Sequence, residues 1–254
     1  MKNFLASLRP RRCHIYCLGA AKTGTTSLAQ MLSQQRRSAH EPETAETNQL
    51  VIDYLSKKLS KNDVIQLLKK RDRRLNLEFE SSHPLGYFAE FLPELFKNSK
   101  FIVTYREPEA WLKSRVNFHE GKDPEDWRAY RNFIWNRHFD SFPEEESILK
   151  DEGLFSLDAY LKQYAEQYEL LLAHLPAERT LLLKTEEIDL STDKLEKFCG
   201  EQTSLTGLTS KRTNTFAPAN SLLNKIDAQY VGEKVAHFQN STKLADRLFN
   251  KFTM

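Results

Sequence analysis

Residues 14–28 read His14-Ile15-Tyr16-Cys17-Leu18-Gly19-Ala20-Ala21-Lys22-Thr23-Gly24-Thr25-Thr26-Ser27-Leu28. His14 to Leu18 is a short β-rich run, and helical periodicity takes over from Thr25 to Gln35. A strand, a Gly-containing turn and a helix in that order make a cradle for an anion. Glycine lets the backbone come close, the unpaired N–H groups of the first helical turn point at the anion, and the helix dipole favours negative charge. Lys22 adds a point charge, while Ala21, Thr23, Gly24, Thr25, Thr26 and Ser27 surround it with N–H and hydroxyl donors.

Working outward, three further runs have strand character: Leu75 to Glu80, Lys100 to Tyr105 and Thr180 to Lys184. Helical periodicity fills the intervals at Gln49–Lys58, Asp63–Arg71, Glu109–Phe118, Pro124–Phe139 and Leu157–His174. The stretch Ala228–Phe252 reads as one or two amphipathic helices, and Thr203–Ala219 as a loop. Strands alternating with helices predict an α/β fold: one doubly wound domain over residues 1–254, with a short parallel sheet flanked by helices and a P-loop type nucleotide site.

A length of 254 residues suits one sizeable core, and 40% hydrophobic with 28% charged residues is the composition of a folded, water-soluble chain. The net charge of +2 excludes a broad basic surface for nucleic acid, so any anion site is local. Cys13, Cys17 and Cys199 lack the paired spacing of a zinc site and read as reduced, structural thiols. The first residues lack the apolar core of a signal peptide, and no run approaches the roughly 20 apolar residues of a membrane span. These features predict a cytoplasmic protein without a transmembrane segment.

A second anion site is expected where Lys100–Tyr105 ends in Arg106-Glu107-Pro108 and the following helix carries Ser114 and Arg115. An arginine at the carboxyl end of a parallel strand faces the crevice where open α/β sheets bind ligands. Two such sites imply a ligand with phosphates at two ends. The nucleoside-triphosphatase pattern needs a lysine directly after Gly24; Thr25 stands there, and the lysine lies inside the loop.

The loop resembles the 5′-phosphosulfate-binding loop of the sulfotransferases that use 3′-phosphoadenosine 5′-phosphosulfate (PAPS), G-x-x-K-[ST]-G-[TS]-[TS]-x-L, and every position is filled. Arg106 and Ser114 are similar in their spacing to that family's 3′-phosphate motif, and Lys211-Arg212-Thr213-Asn214-Thr215 resembles its late loop over the same phosphate. The resemblance rests on the first half of the chain. It implies PAPS as sulfuryl donor, Lys22 at the leaving phosphate, Thr23 to Ser27 on the 5′-phosphate, and Arg106, Ser114, Lys211 and Arg212 at the other end. It implies no metal and no nucleic-acid partner, and an acceptor hydroxyl or amine on a small molecule, carbohydrate or lipid. Two other readings remain: a small-molecule kinase with a degenerate phosphate loop, and a non-catalytic nucleotide-binding scaffold.

Transfer to a hydroxyl needs a base for the acceptor proton, and two candidates lie together in Glu80-Ser81-Ser82-His83. Histidine suits that work without special burial. Glu80 is placed ahead of His83, because its turn resembles the family branch with an acidic residue before a short Ser-Pro-containing loop. Trp127, Tyr130 and Trp135 read first as helix core and second as a wall of the acceptor pocket.

Overall fold

In the computed structural model, which describes residues 10–120, 124–200 and 221–253, five strands form one sheet: β1 (Ile15–Cys17), β2 (Ser38–His40), β3 (Phe79–Ser81), β4 (Lys100–Tyr105) and β5 (Thr180–Lys184). Their order is β2-β3-β1-β4-β5, with every neighbouring pair parallel. The helices among the described residues are α1 (Thr25–Ser33), α2 (Thr44–Leu55), α3 (Lys61–Leu75), α4 (Leu92–Leu95), α5 (Pro108–His119), α6 (Glu125–Asn136), α7 (Ser147–Asp151), α8 (Leu157–His174), α9 (Thr192–Cys199), α10 (Ala228–Thr242) and α11 (Leu244–Phe252). The Thr203–Ala219 stretch, with Lys211 and Arg212, lies outside the described residues.

Both faces of the sheet are covered, which explains why the strand runs are almost continuously apolar. Ile15, Cys17, Phe79, Ile102 and Leu183 pack under Leu28, Met31 and Leu32 of α1 and Leu195 of α9. The opposite face sends Tyr16, Phe101, Val103 and Tyr105 into a larger cluster with Trp111 of α5 and Tyr160, Tyr164 and Tyr168 of α8. Alternation along β4 thus serves two cores at once.

Several elements differ from expectation: α2 starts at Thr44 rather than Gln49, and α4, α7 and α9 were not foreseen. The run Leu75–Glu80 is strand only from Phe79, because α3 continues through Leu75 and stops at Asn76 in a left-handed conformation (φ 45°); a short polar side chain tolerates that geometry. At its other end α3 is closed by a capping box between Ser60 and Asp63. β2 was not foreseen: Ser38-Ala39-His40 is three residues long, polar at both ends and at the sheet edge. The C-terminal stretch is two helices, broken at Lys243 (φ 48°).

The segment before β1 is tied down by charge. Arg12 Nε donates to Glu78 Oε1 at 2.9 Å, and the backbone N–H groups of Arg12 and Arg37 donate to the same carboxylate at 3.0 Å each. Asp72 on α3 receives Arg11 Nη2 at 2.8 Å and lies 3.1 Å from His14 Nε2. Burial raises both carboxyls, but these donors outweigh it and hold each at about 2.

A carboxyl depressed by folding stabilises the protein above its unfolded pKa, and that stability is lost as pH falls toward the folded value. Urea midpoints should therefore decline between about pH 4.5 and about pH 2. Glu78→Gln should remove on the order of 3 kcal/mol at neutral pH and flatten the decline. An unchanged acid slope in that variant would show that Glu78 is not held by these donors.

Candidate functional site

The carboxyl ends of the parallel strands share one edge, so the segment after each strand opens on the same crevice. A cavity of about 1180 Å³ lies there, lined by Lys22 after β1, Glu41 after β2, His83 after β3, Arg106 after β4 and Thr185 after β5. The chain leaves β1 toward β2 and leaves β4 toward β5. Connections that part in this way leave a gap at their strand ends, where α/β sheets bind ligands.

The loop after β1 is held so close to β4 that only glycine fits at its start. A Cβ on Gly19 would meet Thr104 Oγ1 at 2.0 Å and the Thr104 backbone at 2.6 Å. At Gly24, with φ 90°, it would meet Ile188 Cδ1 at 2.4 Å. Lys22 is left-handed as well, at φ 72°, a conformation costly for a residue with a Cβ. Gly24 caps α1 without a side-chain hydrogen bond, which leaves the N–H groups of the first turn for an anion. Ala21, Lys22, Gly24, Thr25, Thr26 and Ser27 all line the cavity. Lys22 Nζ lies over the Phe118 ring, 4.5 Å from its centroid, and Thr26 Oγ1 is 2.9 Å from His40 Nε2.

Thr23 departs from the expected pattern of hydroxyls turned toward phosphate. Its side chain is fully buried and its Oγ1 bonds Ala20 O at 2.5 Å and Thr104 Oγ1 at 2.6 Å. That hydroxyl holds the loop to β4, while the Thr23 carbonyl accepts from Thr185 Oγ1 at 2.9 Å.

Arg106 and Ser114 line the same cavity. Arg106 Nη1 is 3.4 Å from Lys22 O, which joins the two anion motifs directly, and its Nε is 3.6 Å from Glu186 Oε1. The neighbouring acids are engaged elsewhere: Glu107 accepts from Tyr105 Oη at 3.1 Å, and Glu109 pairs with Lys113 at 2.8 Å.

The two candidate bases are separated by the structure. Glu80, the one placed ahead on sequence, does not line the cavity; its carboxylate accepts Arg71 Nη2 at 2.6 Å and Arg71 Nη1 at 2.9 Å, and both side chains are buried. Each oxygen of that carboxylate is engaged by one arm of the guanidinium, away from the cavity lining. His83 does line the cavity, with Nδ1 2.5 Å from Glu41 Oε1 and its ring stacked on Trp127 at 5.1 Å and 10°. Burial raises the Glu41 carboxyl, but His83, then His40 and Arg115, outweigh it and bring it below its ordinary value. Glu41 is therefore an anion beside His83.

Helix α8 holds these parts from behind. Tyr168 Oη donates to Thr104 O at 2.7 Å, Tyr164 Oη to Arg106 O at 2.5 Å, and Gln167 Nε2 to His83 O at 2.8 Å. Tyr160 Oη lies 2.9 Å from Nδ1 of His119, which burial and then Arg115 push well below its ordinary value. Glu41 and the α8 residues were missed on sequence. The only local signal for Glu41 is its place beside His40 after α1, with no strand assigned to carry it. Trp127, Tyr130 and Trp135 pack with the core and also line the cavity.

Residues 14–205 match the family described as "Sulfotransferase domain". Among solved structures, a sulfotransferase from Alicyclobacillus acidocaldarius is similar with a TM-score of 0.52 and 17% identity, over 95% of this chain and 96% of that one. The sulfotransferase domain from the curacin biosynthetic pathway aligns with a TM-score of 0.45 and 13% identity, over 91% of this chain and 98% of that one. No curated protein matches the sequence.

Two substitutions separate scaffold from ligand contacts in the loop. Gly19→Ala should cost about 3 kcal/mol in thermal unfolding, because the clash involves backbone. Thr23→Val should cost about 1–3 kcal/mol by leaving the partners of a buried hydroxyl unpaired, with little change in anion affinity. A Thr23→Val protein of normal stability and lost anion affinity would return that hydroxyl to the ligand.

Proposed function

The chain belongs to the sulfotransferase domain family, and on that premise we propose that it moves a sulfuryl group from PAPS to an acceptor hydroxyl or amine. The observation that carries this reading is that two linked anion sites and a His83–Glu41 pair open on one cavity. The residues fit the donor: a loop whose close passages exclude a Cβ at Gly19 and Gly24, with Lys22 and Arg106 as the cations. Lys22 and the first turn of α1, Thr25 to Ser27, would hold the 5′-phosphosulfate. Arg106 and Ser114 would hold the 3′-phosphate, joined by Lys211 and Arg212. Bound there, the donor supplies the sulfuryl group and a phosphate as leaving group.

The chain's own contribution follows from its geometry. With Nδ1–H donated to the anionic Glu41, the neutral His83 ring carries its lone pair on Nε2, and Nε2 is the atom that takes the acceptor proton. Glu41 fixes the tautomer and stabilises the imidazolium that forms, and the Trp127 stack sets the ring plane. Lys22 neutralises charge developing on the leaving phosphate oxygen. Glu80 is assigned a structural role, anchoring Arg71.

The acceptor is read as a small molecule, carbohydrate or lipid entering past the aromatic wall. No described helix is long and apolar enough to cross a membrane. Cys13, Cys17 and Cys199 are unpaired, and burial pushes the Cys17 and Cys199 thiols up to about 11 and about 12. Unpaired, unreactive thiols suit a reducing compartment, and a cytoplasmic location is part of the proposal.

Titration calorimetry with adenosine 3′,5′-bisphosphate should show metal-independent binding that Lys22→Ala and Arg106→Ala abolish. Preference for ATP with Mg²⁺, or no binding, would replace sulfuryl transfer by phosphoryl transfer or a scaffold. In a PAPS turnover screen across phenolic, alcohol and amine acceptors, His83→Ala should lower kcat about 10²–10⁴-fold. Glu41→Gln should lower it less, and Glu80→Gln should act on stability alone. Loss of kcat in a folded Glu80→Gln protein would restore Glu80 as the base.

A further inference from the structure

The acceptor end of the cavity holds two polar groups that nothing in the fold uses. Arg115, on α5, is 8% exposed and lines the cavity, yet among the described residues its guanidinium makes no hydrogen bond or ion pair, its buried Nε included. Tyr130, on α6, is 3% exposed and also lines the cavity, with its hydroxyl unpartnered. The remaining surroundings of Arg115 are aromatic: its guanidinium carbon lies 5.4 Å from the Trp135 ring centroid and 5.9 Å from that of Phe118. Arg131 lines the same region, its guanidinium 5.7 Å from the Phe155 ring. Aromatic faces hold a cation in place but do not satisfy its donors.

A buried guanidinium without an acceptor is costly to the folded protein. Arg115 shows that cost, since burial pulls it down to about 10, far below the ordinary range for arginine. Glu41, the carboxylate within its electrostatic reach, is already committed to His83 and pairs with Arg115 nowhere within 4 Å. Arg71, buried to a similar degree, has Glu80 as its anion. Unpaired donors of one sign, grouped against aromatic rings, match an incoming group of opposite charge.

We propose that Arg115 and Tyr130 form an acid-binding subsite, so that the acceptor carries, beside the group that is sulfated, a carboxylate or similar anionic group seated between the Trp135 and Phe118 rings. This rests on the sulfotransferase reading and narrows its acceptor class. The acid supplies the missing partner for the guanidinium fork and the phenol, and fixes the orientation of the acceptor relative to His83. Neutral acceptors of the same shape leave both donors unpaired and are rejected for that reason.

The test uses benzoate and its neutral isostere benzamide, read by the fluorescence of tryptophans that include Trp127 and Trp135 in the cavity wall. Affinities are measured on the full chain alone, saturated with adenosine 3′,5′-bisphosphate, and loaded with PAPS. Benzoate should bind about tenfold tighter than benzamide in all three states, the gain expected of one charge-assisted pair. Arg115→Met should erase the advantage, Arg115→Lys should keep part of it, and Tyr130→Phe should reduce it about threefold. Arg115→Met should melt no lower than the wild type, because an unpaired buried charge is removed. If that variant does not fold, the Tyr130→Phe and Arg115→Lys results decide.

Equal affinities, no benzoate binding, or an advantage that survives Arg115→Met would overturn the subsite. Benzoate expelled by PAPS but not by the bisphosphate would also overturn it, by assigning Arg115 to the transferring group. Failure of the wild type to bind either nucleotide would count against the sulfotransferase reading instead, and the nucleotide-free titrations would still decide on Arg115.

Discussion

Thr104 is the point on which the site depends. Its hydroxyl meets Thr23 Oγ1 at 2.6 Å, its carbonyl receives Tyr168 Oη at 2.7 Å, and its backbone lies against Gly19 with no room for a Cβ. These contacts draw the loop after β1 onto the end of β4. Because the loop carries Lys22 and Arg106 directly follows the strand, this packing sets the two cations relative to each other, and Arg106 Nη1 reaches Lys22 O at 3.4 Å. Local backbone strain is the cost, visible in the positive φ of Lys22, and a buried hydroxyl pair with a fully packed sheet behind it keeps that conformation populated.

The same reasoning extends along α8. Tyr160, Tyr164 and Tyr168 repeat every four residues, so their side chains lie on one face. Each ends in a hydroxyl that finds a polar partner at the sheet's carboxyl edge, respectively His119, Arg106 O and Thr104 O. A tyrosine contributes apolar area to the core and a donor at its tip, which suits a helix that must pack on a sheet and also fix the turns leaving it. Gln167 adds the turn at His83 to the set.

Electrostatics in this protein divide acids by partner. Glu78 and Glu80 are both buried and both consumed by arginines, so they stabilise without being available to a substrate. Glu41 faces a histidine instead, with His83 Nδ1 2.5 Å from its Oε1. These carboxylates differ in the identity of the group opposite more than in burial. Arg115 is the converse case, a buried cation whose Nε has no hydrogen-bond partner among the described residues.

Much was legible from residues alone where the controlling physics is short-range. The strand-turn-helix at His14–Leu28, the unusual lysine place at Lys22 and the α/β class follow from backbone preferences and hydrophobic period within about 15 residues, and Arg106 and Ser114, expected from the resemblance, line the same cavity. Helix α8 was readable as a helix, but not its tyrosine contacts with turns that lie as many as 64 residues away in sequence. β2 was hidden because three polar-flanked residues carry no period, and with it went Glu41. The choice between Glu80 and His83 was likewise closed to local reading: they are three residues apart and both suited to accept a proton. The packed fold sets Arg71 from α3 against one and Glu41 from beyond β2 against the other. Which charges end up opposite each other depends on how distant elements pack, and no spacing along the chain encodes that pairing.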